Sequence, residues 1–396
     1  MKVGYILKNY PELRNIIGKV NNTDYVYDSK NNLFQYSNKI KKLLNSYLGF
    51  KYSGDELFKH KSVLNLKQLD FYHFFNHISY GNKPYITTFE TVIPRTSQFL
   101  FGFKEEKNKK EIDSSIVKEI EVLDRDTCKK LIAISECTKE FQFNLLNNFE
   151  PKLAERIKKK IIVLHPPQEL LINSYKEKFS GDQDSEAITF VFVGRHFHQK
   201  GGYESVVSFD RLCKKHPNLK LKLIIIGNVQ NTEDSTKIVS LEDIRFIENI
   251  IGKNKNIELK KEMPNLEVLE IFKLSHIGLL PTWADTYGYS VLEMQAAGCP
   301  VITTNVRALP EINNDEVGWL IDLPLNDTKE AVNSNESDKS RIRETIISSL
   351  YKIMSSIVEN PESIEQKGIN SLKRIKEEHN PDTYAQKIQS IYEDII

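Results

Sequence analysis

From residue 187 onward the chain repeats one pattern: a short run of consecutive apolar residues, then a segment with helical apolar spacing. The runs are "AITFVFVG" (187–194), "LKLKLIIIGN" (219–228), "NIELKKEM" (256–263), "IGLLPT" (277–282), "CPVITTN" (299–305) and "VGWLID" (317–322). Apolar residues at successive rather than alternate positions mark strands buried on both faces. Between the runs, "GGYESVVSFDRLCKKHP", "LEDIRFIENIIGK", "NLEVLEIFKLSH" and the stretch around Tyr289–Ala297 have the spacing of helices. Strands alternating with helices in this way dictate a parallel sheet with helices on both sides, a Rossmann-like domain.

The amino half is less regular. "KVGYIL", "FYHFFNHI", "KPYITTFE", "KKLIAIS" and "KKIIVLHPP" are expected strands, separated by helical or irregular segments, which gives a second α/β domain. A chain of 396 residues is long enough for two domains. The polar segment "SYKEKFSGDQDSEA" (174–187) is the expected linker, so the domains are placed at 1–178 and 185–378. The segment 324–340 is expected to be a polar loop, followed by helices over 341–359 and 361–378. In the last segment Tyr384, Ile388, Ile391 and Ile395 recur at helical spacing, so a helix over 381–396 should dock on another element.

The four cysteines are scattered without a CxxC pair, which removes the usual ligands of a zinc cage and suits a reducing compartment. The opening "MKVGYILKNYPELR" has too short an apolar run for a signal peptide, and no later run reaches the length of a membrane span. A cytoplasmic location is expected. The net charge of +1 conceals an asymmetry: residues 1–180 hold 30 Lys+Arg against 21 Asp+Glu, and the remainder 25 against 33. Basic runs such as "NKIKK" (38–42) and "ERIKKK" (155–160) suit an amino half held near anionic lipid or a polyanionic acceptor. Solvated lysine-rich helix faces are the equal alternative.

The stretch "WADTYGYSVLEMQAAGCPVITTN" (283–305) raises a chemical question. An apolar helix carries Glu293 in its middle, with Asp285 eight positions earlier. Ligands of parallel α/β sheets bind beyond the carboxyl ends of the strands, and this stretch leaves such an end. Asp285 and Thr286 are therefore expected at a helix mouth, where the amides of Thr286, Tyr287, Gly288 and Tyr289 form an anion site suited to phosphate. Eight residues of helix span about 12 Å, too far for the two acids to share one proton or metal. They are expected to touch two parts of one long ligand, such as the hydroxyl groups at the two ends of a nucleotide sugar. In "FVFVGRHFHQKGG" (190–202), Arg195 and Lys200 flank a loop with Gly194, Gly201 and Gly202, and supply positive charge for a diphosphate. His196 and His198 are read as loop residues. The "DRD" at 124–126 is read as a charged surface run and not as a metal site.

These segments together, "FVFVGRHFHQKGG", "LKLIIIGN", "LPTWADTYGYSVLEMQAAGCPVITTNVRALPEI" and "VGWLI", resemble the retaining glycosyltransferases of the GT-B fold, specifically the family 4 group. The resemblance covers about residues 188–322. It implies two Rossmann-like domains facing each other across a cleft, with a last helix crossing back to the amino-terminal domain. By it, Arg195 and Lys200 bind the donor diphosphate, Asp285 the donor sugar, the amides of Tyr287 and Gly288 sugar and phosphate oxygens, and Glu293 the ribose. "KKLIAISECTKEF" looks like the family's strand and helix start that often carry a serine, here Ser135. The first acid of the family's E-x7-E pair is Asp285 in this chain, one methylene shorter. The family's glycine-rich turn after the first strand is missing from "ILKNYPELR". Where the family commonly has T-x-H, this chain reads Thr88-Phe89-Glu90, which makes Glu90 a donor-binding candidate, with His73 and His77 as competitors.

The expected function is transfer of a sugar from a nucleotide-sugar donor to an acceptor hydroxyl with retention, in cell-surface polysaccharide or glycolipid synthesis. No metal and no other cofactor are expected. The expected acceptor is carbohydrate, lipid-linked or an anionic polymer, with peripheral membrane association through the basic amino half and no nucleic-acid partner. A nucleotide-sugar epimerase and a catalytically silent subunit of an envelope-polymer complex are the alternatives. An NAD-dependent oxidoreductase lacks its GxGxxG after a strand.

Overall fold

All six apolar runs are strands: β9 (Ile188–Gly194), β10 (Leu221–Gly227), β11 (Ile257–Lys260), β12 (Ile277–Leu280), β13 (Val301–Thr304) and β14 (Gly318–Ile321). They form one parallel sheet in the order β11-β10-β9-β12-β13-β14. The computed structural model describes residues 1–48, 55–62, 67–95, 114–179, 187–232 and 239–396. The chain divides into two units, one of Met1–Pro167 with Pro381–Ile396 and the other of Gln168–Asn380.

The first unit holds a second six-stranded sheet, built from β1 (Lys2–Tyr5), β2 (Asp24–Tyr27), β4 (Phe71–Phe75), β6 (Tyr85–Phe89), β7 (Cys128–Ala133) and β8 (Ile161–Val163). Its order is β2-β1-β4-β6-β7-β8, with all pairings parallel. A two-stranded pair, β3 (Lys59–His60) with β5 (Ile78–Ser79), stands beside it. Side chains alternate across the sheet. Tyr72, Phe74, Tyr85, Phe89 and Leu131 enter one core, and Val3, Phe71, Ile86 and Ile132 enter another.

That second core is closed by the last helix, Pro381–Glu393, whose Tyr384, Ile388, Ile391 and Tyr392 are buried in it. The expected docking stripe is present, with Ile395 only partly buried. Each such side chain contributes about 1.5–3 kcal/mol by burial. Two polar bonds fix the register: Tyr384 Oη donates to Asn15 O at 2.7 Å, and Tyr392 Oη lies 2.7 Å from His73 Nδ1.

Two boundaries and one strand differ from the sequence reading. The division falls at Pro167–Gln168 and not within 174–187, because residues 168–178 pack on the second unit. Leu171 N donates to Ala296 O at 2.9 Å, and the buried Lys178 ammonium donates to the carbonyls of Phe272, Lys273 and Ala297. Part of the expected linker, 180–186, lies outside the described residues. The expected loop 324–340 ends early, since a helix runs from Glu336 to Glu359 with Asn335 as its cap, accepting from Asp338 N at 2.9 Å. The strand β2, "DYVY", was not expected from its short, half-exposed pattern.

The first unit buries three histidines. His73 bridges Tyr392 and Thr88, His60 Nδ1 meets Ser79 Oγ at 2.9 Å, and His77 Nδ1 meets Phe75 O. Burial pushes His60 and His73 down to about 3 and His77 down to about 4 from an ordinary 6.5. The native rings stay neutral while the unfolded chain takes up protons, so stability is full above pH 6.5 and drains as pH falls toward those values. Between pH 7.5 and 5.5 the unit should lose about 1.4 kcal/mol per histidine in urea unfolding, and His73→Gln should remove roughly one third of that dependence. A pH-independent unfolding midpoint would refute the assignment.

Candidate functional site

The expected site residues of the second unit stand on two loops and one helix at the carboxyl ends of β9 and β12, which are neighbouring strands. The loop leaving β9 begins with the exposed Arg195, whose carbonyl accepts from Asn231 Nδ2 at 2.9 Å. It then folds back on the strand end. A Cβ on Gly194 would lie 3.0 Å from Lys200 Cβ, so glycine permits the return. Gly201 has φ of +84°, and a Cβ there would stand 2.2 Å from Pro281 O. This glycine lets the β9 loop lie directly against the backbone leaving β12.

The two loops are stitched by polar contacts. Lys200 Nζ donates to Asp285 Oδ2 at 2.7 Å and to Ala284 O at 3.2 Å. Trp283 N and Thr282 Oγ1 both donate to Gln199 O at 2.9 Å, and Gln199 Nε2 donates to Ala284 O at 3.1 Å. The structure therefore places Lys200 and Asp285, assigned to different ligand groups by the sequence reading, in one ion pair. An ammonium has three hydrogens, so the pair and the Ala284 contact leave one for a ligand oxygen.

The helix mouth lies further along than expected. Residues 285–288 are not helical; the helix is Tyr289–Ala296, capped by Gly288 with φ of 95°. A Cβ on Gly288 would be 2.6 Å from Leu309 Cδ2. The Tyr287 amide donates to Asp285 Oδ1 at 3.2 Å, so Asp285 closes a turn ahead of the helix with Thr286 in its bend. The helical rise of 12 Å between the acids does not apply, because only the part from Tyr289 is helical. Glu293 is 6% exposed on that helix, between the fully buried Leu292 and Met294, as its apolar neighbours implied.

Sequence reasoning missed the support behind the β12 loop. Trp283 is buried, and its Nε1 donates to Glu204 Oε1 at 2.9 Å from the first turn of the helix Gly202–Lys215. Arg343 lies 3.7 Å from the same carboxylate and 3.0 Å from Asp243, with its guanidinium over the Tyr203 ring. Burial pushes Glu204 up to about 7, opposed by Arg343. A tryptophan between a strand end and a helix is the one local signal of this anchor.

The remaining candidates lie in the first unit. Glu90, just past β6, accepts from Arg95 Nη1 at 2.7 Å and Asn76 Nδ2 at 3.1 Å. Its rivals His73 and His77 are fully packed core residues. Ser135 caps the helix Glu136–Leu146, accepting from Thr138 N at 3.0 Å. His198 Nε2 is held 2.8 Å from Val229 O. Asp124 of the "DRD" run is gripped by Arg156. Among the described residues no group of three or more His, Cys, Asp or Glu could hold a metal ion, and no helix is long and apolar enough to cross a membrane.

Two Rossmann-like units, each a parallel sheet with helices on its faces, define the GT-B class of fold. Solved structures agree with that class. A sucrose-phosphate synthase from Thermosynechococcus elongatus aligns over 94% of this chain and 80% of its own with a TM-score of 0.57 at 14% identity. Anabaena HepE, solved with UDP-glucose, aligns over 100% of both chains with a TM-score of 0.58 at 11% identity. Residues 173–353 match the family described as Glycosyl transferases group 1. The capsular polysaccharide biosynthesis glycosyltransferase CapM of Staphylococcus aureus is 30% identical over 132 residues, 33% of this chain and 32% of CapM. A D-inositol 3-phosphate glycosyltransferase of Corynebacterium jeikeium is 25% identical over 132 residues, 33% of this chain and 30% of that protein. The chain thus matches about a third of the length of these curated relatives.

Glu204 yields a prediction independent of ligand. Its folded pKa is raised above the unfolded value, so the protein gains protons on folding and loses stability as pH rises from about 4.5 through 7. Glu204→Gln should raise stability by about 1 kcal/mol at pH 5 and by about 3 kcal/mol at pH 8, read by thermal unfolding. Equal destabilisation at both pH values would show that the ionised carboxylate is needed.

Proposed function

We propose that this chain is a metal-independent retaining glycosyltransferase that moves a sugar from a nucleotide-sugar donor to an acceptor hydroxyl in cell-surface polysaccharide or glycolipid synthesis. The observation that carries the reading is the Lys200–Asp285 pair, a cation and a carboxylate fixed side by side at the meeting of two strand ends. Lys200 offers its third hydrogen to a diphosphate oxygen while Asp285 accepts from hydroxyls of the adjoining sugar. Arg195 and the mouth of the helix Tyr289–Ala296 add positive potential to the departing diphosphate. Glu293 receives the ribose hydroxyls, which compensate the burial of its charge.

Supplying that charge from Arg195, Lys200 and peptide dipoles makes a divalent ion unnecessary. The acceptor attacks from the face that the diphosphate leaves, with the leaving phosphate taking the proton, so no covalent sugar–enzyme intermediate forms. HepE has been solved with UDP and with UDP-glucose, which supports a donor of that kind. The basic amino half supports an acceptor that is lipid-linked or an anionic polymer, reached by peripheral association with an anionic membrane.

The test screens UDP-, GDP-, ADP- and CMP-sugars for thermal stabilisation of the whole chain, then follows turnover of the donor that binds. Lys200→Ala and Glu293→Ala should each weaken donor affinity about 10- to 100-fold while the chain still unfolds in one cooperative transition in the absence of donor. Turnover should survive excess EDTA. Undiminished donor affinity in both variants would remove the site assignment, loss of turnover in EDTA would remove metal independence, and binding without transfer would mark a silent binding subunit.

A further inference from the structure

The exposed large apolar side chains of the first unit are unevenly distributed. Apart from Ile396, they are Tyr10, Leu13, Tyr27, Leu33, Tyr36, Ile40 and Leu57, all within the first 57 residues. Between residues 58 and 167 no described residue is of this kind. Three of the seven share the helix Leu33–Leu48. Leu33, Tyr36 and Ile40 are 43%, 52% and 61% exposed. At about 100° per residue they fall within roughly 60° of one another, one continuous stripe. Opposite it, Asn38 is buried and Phe34 packs on Tyr80, so the helix is seated by its other side.

The charges have a matching arrangement. Lys39 and Lys41, both exposed, project about 100° to either side of the stripe. Lys41 also pairs with Glu56, which fixes its position beside the helix. Lys8 and Lys61 are exposed as well, and Lys61 O accepts from Leu33 N at the start of the helix. Tyr27 is the last residue of β2 and Tyr10 follows the adjacent strand β1, so both lie at the carboxyl ends of these strands, after which this helix also departs.

We propose that the face carrying Leu33, Tyr36 and Ile40 is the surface by which the protein lies on an anionic lipid bilayer. The apolar stripe enters the boundary between headgroups and acyl chains, the tyrosine rings sit at headgroup level, and Lys39 reaches outward to lipid phosphates. Charge complementarity selects a bilayer over a second copy of the chain, since two such faces would oppose lysine to lysine. The proposal rests on the peripheral association put forward above and not on the transfer chemistry.

The experiment uses the full chain without nucleotide and sediments it with vesicles of phosphatidylglycerol and phosphatidylcholine at low and physiological salt. Wild type should bind mixed vesicles, release with salt and ignore pure phosphatidylcholine. Tyr36→Ser with Ile40→Ser should weaken binding at least tenfold, and Lys39→Ala about fivefold. Ile40→Trp should shift its emission to the blue on adding vesicles. Donor-induced thermal stabilisation should be unchanged in every variant, which separates this surface from the donor site. Vesicle binding unaffected by the double variant would overturn this inference while leaving peripheral association standing, whereas no wild-type binding would remove both. A dimer that Ile40→Ser dissociates would assign the face to a second copy instead.

Discussion

A parallel strand covered by helices on both faces can offer chemistry only past its ends, because every side chain along it is committed to a core. That constraint places the candidate site. In the second unit the chain runs β9, β10, β11 to one side and then returns to lay β12 on the other side of β9. The loops leaving β9 and β12 therefore diverge from adjacent strands at the point where strand order reverses, the position at which such sheets bind ligands. Gly194 and Gly201 let the first loop bend back, and the contacts of Lys200 and Gln199 with residues 282–285 hold the two loops together.

The same unit tolerates buried charge where the backbone supplies partners. Lys178 is pushed down to about 8 by burial, yet it donates to three carbonyls at the ends of two helices. Helix carboxyl ends carry partial negative charge, so the ammonium replaces lost hydration with oriented dipoles. Its effect is architectural: it fastens the polar stretch after Pro167 to the second unit. Glu204 behind the β12 loop is held by side chains instead, the Trp283 indole and Arg343.

What the sequence made legible follows the range of the interactions involved. The apolar runs of the second sheet announce its inner strands, because burial on both faces is written locally; the edge strand β11, half exposed, was legible only from its place in the strand–helix alternation. The last helix was equally legible, its stripe of Tyr384, Ile388 and Ile391 needing only a surface to meet. β2 was not, since "DYVY" is four residues long and half exposed at a sheet edge. The domain boundary was hidden because Lys178 stands in a stretch that reads as polar linker, and its partners are 94 to 119 positions away. Within the site, residue types and loops were readable. The pairing of Lys200 with Asp285, 85 positions apart, was not. Nor was the helix start at Gly288, where a positive φ and a close Leu309 decide the cap rather than the acid before it.

That pairing changes what the site asks of a ligand. An ammonium beside a carboxylate is locally close to neutral, so a bare diphosphate would meet attraction from Lys200 and repulsion from Asp285 at nearly the same distance. A ligand with hydroxyl donors next to its phosphates satisfies both, giving hydrogens to the acid and oxygens to the base. The carboxylate thereby penalises anions that lack an adjoining polyol, which is discrimination by an unfavourable contact as well as a favourable one. Because Asp285 also accepts from the Tyr287 amide, its position is held by the turn that leads into the helix of Glu293. Under the proposed function, recognition of the sugar and of the ribose is thus coupled through one rigid segment, residues 285–293.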